Sequence, residues 1–233
     1  MSAPPRVSIV MPALDEQDGI VRALEALAPA RCAAAEVIVV DGGSGDGTRE
    51  RALPLADRVV EASRGRARQM NAGAALARAP VLLFLHADTR LPAQGLERVV
   101  DALAGERCWG RFDVRIEGGN ALLPIVAAGM NLRSRLTGIA TGDQAMFVRR
   151  DAFERAGGFP DIPLMEDVAL SRILRRFSRP ACLRERVATS ARRWERAGTL
   201  RTIVLMWRLR LAFALGADPR GLARRYGVER TSS

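Results

Sequence analysis

"VIVVDGGSGDGT", residues 37–48, is the stretch on which the reading of the fold turns. Val37 to Val40 form an apolar, β-branched run that suits a strand buried on both faces. Asp41 ends the run, and four glycines follow within six residues. Glycines without a Cβ let a backbone close in on a ligand. In open parallel sheets, ligands gather at the C-terminal ends of the strands.

The flanking text repeats the pattern. "RVSIVMPAL" (6–14) reads as a first strand closed by Pro12. "DEQDGIVRALEALAPA" (15–30) reads as a helix with an acidic first turn and Ile20, Leu24 and Leu27 at helical spacing. "AEVIVVD" (35–41) is the second strand, "GTRERALPLA" a turn and short helix, and "DRVVEA" (57–62) a third strand. "GRARQMNAGAALARA" (65–79) is a helix and "PVLLFLHAD" (80–88) a fourth strand. This alternation predicts an α/β fold, a mostly parallel sheet sandwiched by helices. Past residue 105 the regularity fades. "WGRFDVRIEGG" (109–119) is expected in a small added β-ribbon, residues 120–138 in a helix, "DQAMFVRRDAFERAGGF" in a strand and helix, and "MEDVALSRILRRF" (165–177) in a helix with an acidic start. The expected organisation is a domain over 1–197, with halves meeting near 105/106, and a basic amphipathic helical tail over 198–233.

The chain has 233 residues, 48% of them hydrophobic, which supports a sizeable core and excludes disorder as the default. Cys32, Cys108 and Cys182 are scattered and odd in number, a poor disulfide framework. With no secretory signal at the start and no uncharged apolar run of ~18 residues, a cytoplasmic protein is expected, at most peripheral at the inner face of the membrane. The net charge is +10, and every basic residue is arginine. A lysine-free chain rich in Ala, Arg and Gly reflects coding bias, so no nucleic-acid partner is expected. The charge is uneven: residues 192–233 carry ten Arg against Glu195, Asp218 and Glu229, which is +7.

Three strands end in carboxylates: Asp15 and Glu16, then Asp41 and Asp46, then Asp88. Any one of them suits a helix cap; all three at one crevice suit a ligand. The glycine loop alone leaves two ligands open. It resembles the first motif of S-adenosylmethionine methyltransferases, with Glu61 as the ribose acid. It equally resembles "VDDGSTDGT" of the family 2 glycosyltransferases, with Gly42 in place of the second Asp. A catalytically lost nucleotide-binding protein is a third reading.

Three further features favour the glycosyltransferases. The strand "SIVMPALDE" (8–16) resembles their "S-I-[IV]-[IV]-P-x-x-N-E", with Asp15 for Asn. "FLHAD" (84–88) resembles the site of their D-x-D motif, with Asp88 as the last acid and His86 in place of the first. "PLMEDVALSRIL" (163–174) resembles their E-D motif. The likeness extends over residues 7 to about 195. It implies a GT-A fold, an inverting, non-processive transfer from a UDP- or GDP-linked sugar, and Mg²⁺ or Mn²⁺ as cofactor. It places Asp167 as base with Glu166 beside it, and Asp88 on the metal. Pro12, Asp15, Glu16, Asp41, Gly43, Ser44, Asp46, His86 and Ala87 fall to the donor. In "RGRARQMNAGAALA" (64–77), Arg64, Arg66 and Arg68 are expected near diphosphate or base, and Asn71 on a supporting loop. Gly142, Asp143 and Gln144 fall on the acceptor side. Arg193 and Trp194 match the end of the Q-x-x-R-W element of processive members, whose Q-x-x is absent here. "VDGGSGDGT", "GRARQMNAGA", "FLHADT" and "RRW" together are similar to a bacterial sub-group found beside radical-SAM and selenium-domain proteins and linked to arsenosugar synthesis. The acceptor is open, a small molecule or a lipid-linked one.

In the tail, Leu200, Ile203, Val204, Trp207, Leu211 and Leu215 share one helical stripe. Packing on the catalytic domain or a second subunit is the favoured expectation. The rival is the membrane interface, with arginines on anionic lipid.

Overall fold

The computed structural model describes residues 4–226, apart from the side chains of Arg193 and Arg196. Strands β1 (Val7–Ala13), β2 (Ala35–Asp41), β3 (Arg58–Glu61) and β4 (Val81–Phe84) form the parallel half of one sheet, in the order β3-β2-β1-β4. Pro12 is tolerated inside β1 because β1 and β4 pair only as far as Val10↔Phe84, so no ladder bond to β4 is required of it. Odd and even positions are buried on opposite faces. Ile9, Met11, Val37 and Val39 join one core, and Val10, Ile38 and Val40 the other. That double burial is why these strands read as unbroken apolar runs.

The helix expected over 15–30 is two short ones. Residues 15–19 form a turn, followed by α1 (Ile20–Glu25) and α2 (Ala28–Cys32), which restarts with Pro29 in its first turn. Helix α3 spans Thr48–Ala52 and α4 Arg66–Leu76. Gly73 lets α4 lie close on the sheet: a Cβ there would sit 2.4 Å from Val10 Cγ1 and 2.9 Å from Val40 Cγ2.

The sheet continues where a separate ribbon was expected. After β5 (Thr89–Arg90) and α5 (Gly95–Leu103), strand β6 (Trp109–Glu117) is an interior strand of the same eight-stranded sheet, order β3-β2-β1-β4-β7-β6-β8-β5. It pairs antiparallel with β7 (Phe147–Arg149) and parallel with β8 (Ala181–Ser190), across a bulge at Phe112/Asp113. Strand β8 escaped the sequence reading because "ACLRERVATS" mixes charges into a half-covered strand. Helix α6 (Leu123–Thr137) covers β6, and α7 (Arg150–Arg155) and α8 (Glu166–Leu174) follow.

Beyond β8 come α9 (Arg192–Ala197), a break at Gly198 with φ +81°, α10 (Thr199–Ala214) and α11 (Pro219–Tyr226). The tail packs on the domain through Leu209, Leu222 and Ala223 against Leu164, Met165 and Val168. The stripe predicted to do this is turned the other way: Leu200, Val204, Trp207, Leu211 and Leu215 are 56–80% exposed. Among the described residues no helix is long and apolar enough to cross a membrane.

Candidate active site

The loops after β1 and β2 are sewn together by the carboxylates picked out in the sequence. Asp41 Oδ2 accepts N–H bonds from Gly43 (3.0 Å) and Ser44 (2.9 Å), while its Oδ1 accepts from the Ser44 hydroxyl. Asp15, at φ +52°, accepts from Gly45 N–H at 2.9 Å, and its own N–H donates to Ser44 Oγ at 3.0 Å. Asp46 accepts from Thr48 N–H (3.0 Å) and Gln17 N–H (3.2 Å). Glu16 N–H donates to Thr48 Oγ1 at 2.8 Å. Asp41 is 3% exposed, so it shapes the loop from beneath, and the backbone of Gly43 to Gly45 forms the outer surface. Gln69, part of "GRARQMNAGA" but given no role from the sequence, adds a clamp: its amide donates to Ala13 O and Val40 O, both at 2.8 Å, across the ends of β1 and β2. A Cβ on Gly42 would lie 3.0 Å from the Gln69 amide nitrogen.

At the next strand end, Ala87 is buried and Asp88 keeps 31% of its side chain exposed. The neighbour of Asp88 is Arg192, one residue before the expected Arg193. Its Nη2 donates to both Glu16 oxygens at 3.1 and 2.8 Å, and sits 3.9 Å from Asp88 Oδ2. Bonding to Glu16, and then the charges of Glu16, Asp88 and Asp18, hold this guanidinium above its usual pKa. Trp194 is partly buried against the core. The side chain of Arg193 lies outside the described residues. Among the described residues no three His, Cys, Asp or Glu side chains cluster to hold a metal by themselves. Asp88 fits a divalent ion as a single protein carboxylate, completed by phosphate oxygens and water.

The third corner joins three stretches distant in sequence. Asp167 Oδ2 accepts Gly142 N–H at 2.8 Å, and its Oδ1 accepts Val168 N–H at 2.7 Å at the start of α8. The His86 ring lies flush on Gly142, where a Cβ would be 2.4 Å from His86 Cε1, and His86 Nδ1 is 3.6 Å from Asp143 Oδ1. Met165, left-handed at φ +69°, turns the chain so that Glu166 and Asp167 open the helix. Asp167 is half-buried and Glu166 buried, above an apolar pocket lined by Met70, Phe84, Met146 and Phe159. Burial first, and the Asp167 charge second, push the Glu166 carboxyl above the usual range, with Arg66 and His86 pulling the other way. Arg66 faces Glu166, Tyr226, Asp143 and Asp167. Desolvation opposes its charge even though Arg66 reaches the surface, and these neighbours more than offset that and hold its pKa up.

The other expected residues have supporting places. Asn71 clasps Phe159 in both directions, accepting its N–H at 2.9 Å and donating to its carbonyl at 2.8 Å, which ties α4 to the "GGF" turn. Arg68 is engaged with Asp161 at 2.9 Å on the surface, and Arg64 is exposed. Gln144 is fully buried, with its side chain on Thr141 and Asn131, and so supports the turn that carries Gly142 and Asp143.

The sequence matches the model of glycosyl transferase family 2 over residues 8–156. The chain belongs to that family. That membership favours the glycosyltransferase likeness of the glycine loop over the methyltransferase one. Solved structures share its GT-A fold. A mannosyltransferase from Pyrobaculum calidifontis, in complex with GDP-Man and Mn²⁺, superposes with a TM-score of 0.66 at 22% identity, covering 91% of this chain and 62% of that one. S. aureus TarS 1–349 with UDP-GlcNAc gives 0.65 at 17%, covering 80% and 59%. Glucosyl-3-phosphoglycerate synthase from Mycobacterium tuberculosis, with Mn²⁺, UDP and glucosyl-3-phosphoglycerate, gives 0.64 at 21%, covering 92% and 81%. The chain thus spans about three fifths of the length of the first two. No curated protein matches it.

Proposed function

We propose that this glycosyltransferase moves a sugar from a UDP- or GDP-linked donor to an acceptor hydroxyl with inversion, Asp167 serving as the general base. The observation that carries this reading is the Asp167 carboxylate, half-buried, fixed by Gly142 N–H at 2.8 Å and lining one pocket with His86, two residues before Asp88. Two N–H bonds hold its orientation, and each oxygen keeps a lone pair for the acceptor proton. Attack by the acceptor oxygen on the anomeric carbon breaks the bond to the diphosphate, which leaves with the nucleotide. The Gly43–Gly45 backbone, supported by Asp15, Asp41, Ser44 and Asp46, receives the nucleotide. Gly142 and Asp143 border the acceptor, and Arg66 offers positive charge beside the two carboxylates.

A divalent ion held by Asp88 would supply positive charge to the departing diphosphate. The complexes of the similar structures with GDP-Man, UDP-GlcNAc, UDP and Mn²⁺ support both the donor class and the ion. Ser190 in place of the Q of Q-x-x-R-W weighs against processive transfer. The narrower placement, beside radical-SAM and selenium-domain proteins, rests on the four short motifs alone.

The test is calorimetric titration with UDP- and GDP-sugars, with and without Mn²⁺. Saturable binding of one donor, strengthened by Mn²⁺ and weakened by Asp88→Ala, is expected. Absence of binding by every nucleotide sugar would remove the proposal.

A further inference from the structure

The exposed apolar stripe of α10 has a companion. On α6, Ile125 (68%), Leu132 (59%) and Leu136 (77%) stand out of the surface on the side opposite its buried Leu123, Ala127, Asn131 and Ser134. On α10, Leu200, Val204, Trp207, Leu211 and Leu215 occupy roughly a quarter of the circumference, opposite Thr202 and Leu209, which are buried. The helices begin together, because Asn120 Nδ2, just before α6, donates to Thr199 Oγ1 at 2.9 Å. Further along, the pKa of Arg133 of α6 is pushed down to about 10, mainly by burial and next by the charge of Arg210 of α10. Two helices joined at their starts thus expose eight large apolar side chains. Scattered exposed apolar residues are ordinary, but a one-sided stripe on each of two linked helices marks a contact surface.

Charge selects the occupant. On α10 the exposed Arg201 and Arg208 flank one edge of the stripe and Arg210 the other. Arg220, Arg224 and Arg225 of α11 are also exposed. No acidic residue occurs in 118–142 or 196–217, so neither helix carries a carboxylate. A second copy meeting this face about a two-fold axis would set arginine against arginine with no acid to pair. A bilayer with anionic headgroups takes both parts at once, the apolar band in the acyl boundary and the arginines at the phosphates. Helix α10 has 16 residues and three arginines, so it lies along a surface rather than across it.

We propose that the α6–α10 face docks the glycosyltransferase on anionic lipid bilayers. The opposite side of α10 packs on Met165 and Val168, which flank Glu166 and Asp167. Docking would therefore hold the acceptor side of the cleft next to the headgroups. The proposal does not depend on the catalytic roles given above, because vesicle binding is read without turnover.

The test is flotation of the 233-residue chain with neutral phosphatidylcholine vesicles and with vesicles containing phosphatidylglycerol. Expected is recovery with the anionic vesicles, at least tenfold less with neutral ones, and loss in high salt. Exposed Trp207 should shift its fluorescence to the blue on binding. Trp207→Glu with Leu211→Glu should cut recovery at least tenfold, with circular dichroism and the melting temperature unchanged. Arg201→Ala with Arg208→Ala should cut it several-fold on anionic vesicles only. Equal recovery with and without vesicles would overturn the proposal. So would a concentration-dependent dimer in sedimentation that Leu211→Glu dissolves while vesicle binding is absent.

Discussion

Glu36 and Glu166 are both shut away from water, at opposite ends of the sheet, and their surroundings treat them in opposite ways. Glu36, in β2 at the N-terminal end of the parallel strands, is 1% exposed and saturated with donors: Ser8 Oγ, the Arg78 backbone N–H, and Arg78 Nε at 2.8 Å. Burial alone would raise its pKa, but these bonds and the Arg78 charge outweigh it and hold the carboxyl below the usual range. Glu166, at the C-terminal edge, is 5% exposed and pushed upward by burial and by Asp167. One end of the sheet spends its buried charge on stability. The other keeps an uncomfortable pair of carboxylates where chemistry is proposed, which is where perturbed groups concentrate.

Replacing Glu36 should have the largest effect. Glu36→Ala leaves Ser8, the Arg78 N–H and its guanidinium without their acceptor, at about 3 kcal/mol of stability. A urea melt measures it, and activity per folded molecule should be unchanged. A comparable loss from Glu166→Ala would erase the contrast between the two ends.

Gly142→Ala comes next. The new Cβ must push His86 away and move the N–H that holds Asp167. Turnover should fall on the order of 100-fold, with the melting temperature within a few degrees of the parent. Unchanged turnover would mean that the His86–Gly142–Asp167 contact is not part of the site.

The pH dependence sharpens the comparison further. With its pKa lowered, Glu36 contributes stability above its ordinary value of 4.5 that is lost as pH falls through the folded value. With its pKa raised, Glu166 favours the folded state below 4.5, and that share is lost as pH rises through its folded value. Glu166→Gln should therefore be more stable than the parent at neutral pH and should flatten the decline of stability above pH 4.5. Denaturant melts across pH 3 to 9 would show it. A Gln variant less stable at neutral pH would reverse the assignment. The smallest effect is expected from Arg192→Ala: a rise in KM for the donor of a few-fold, from the lost bridge between Glu16 and Asp88.

What could be read in the sequence follows from which forces are local. Strands β1, β2 and β4 announce themselves because both their faces are buried and their ends carry acids. The start of α8 announces itself through Glu166 and Asp167. Strands β6 and β8 pair across about seventy residues, and Arg184, Glu185 and Arg186 interrupt β8, so no local period reveals it. Arg192 and Gln69 act through long-range contacts, and adjacent Arg193 drew the attention. The stripe on α10 was legible as a stripe, but periodicity says only that a helix has two faces, not which of them meets the protein.

Asp167 as the base is the central claim, and Asp167→Asn tests it most directly, once donor titration has identified the sugar nucleotide. Donor affinity should stay within about threefold of the parent while single-turnover transfer falls by roughly a thousandfold or more. Transfer at the parental rate in Asp167→Asn would contradict the account.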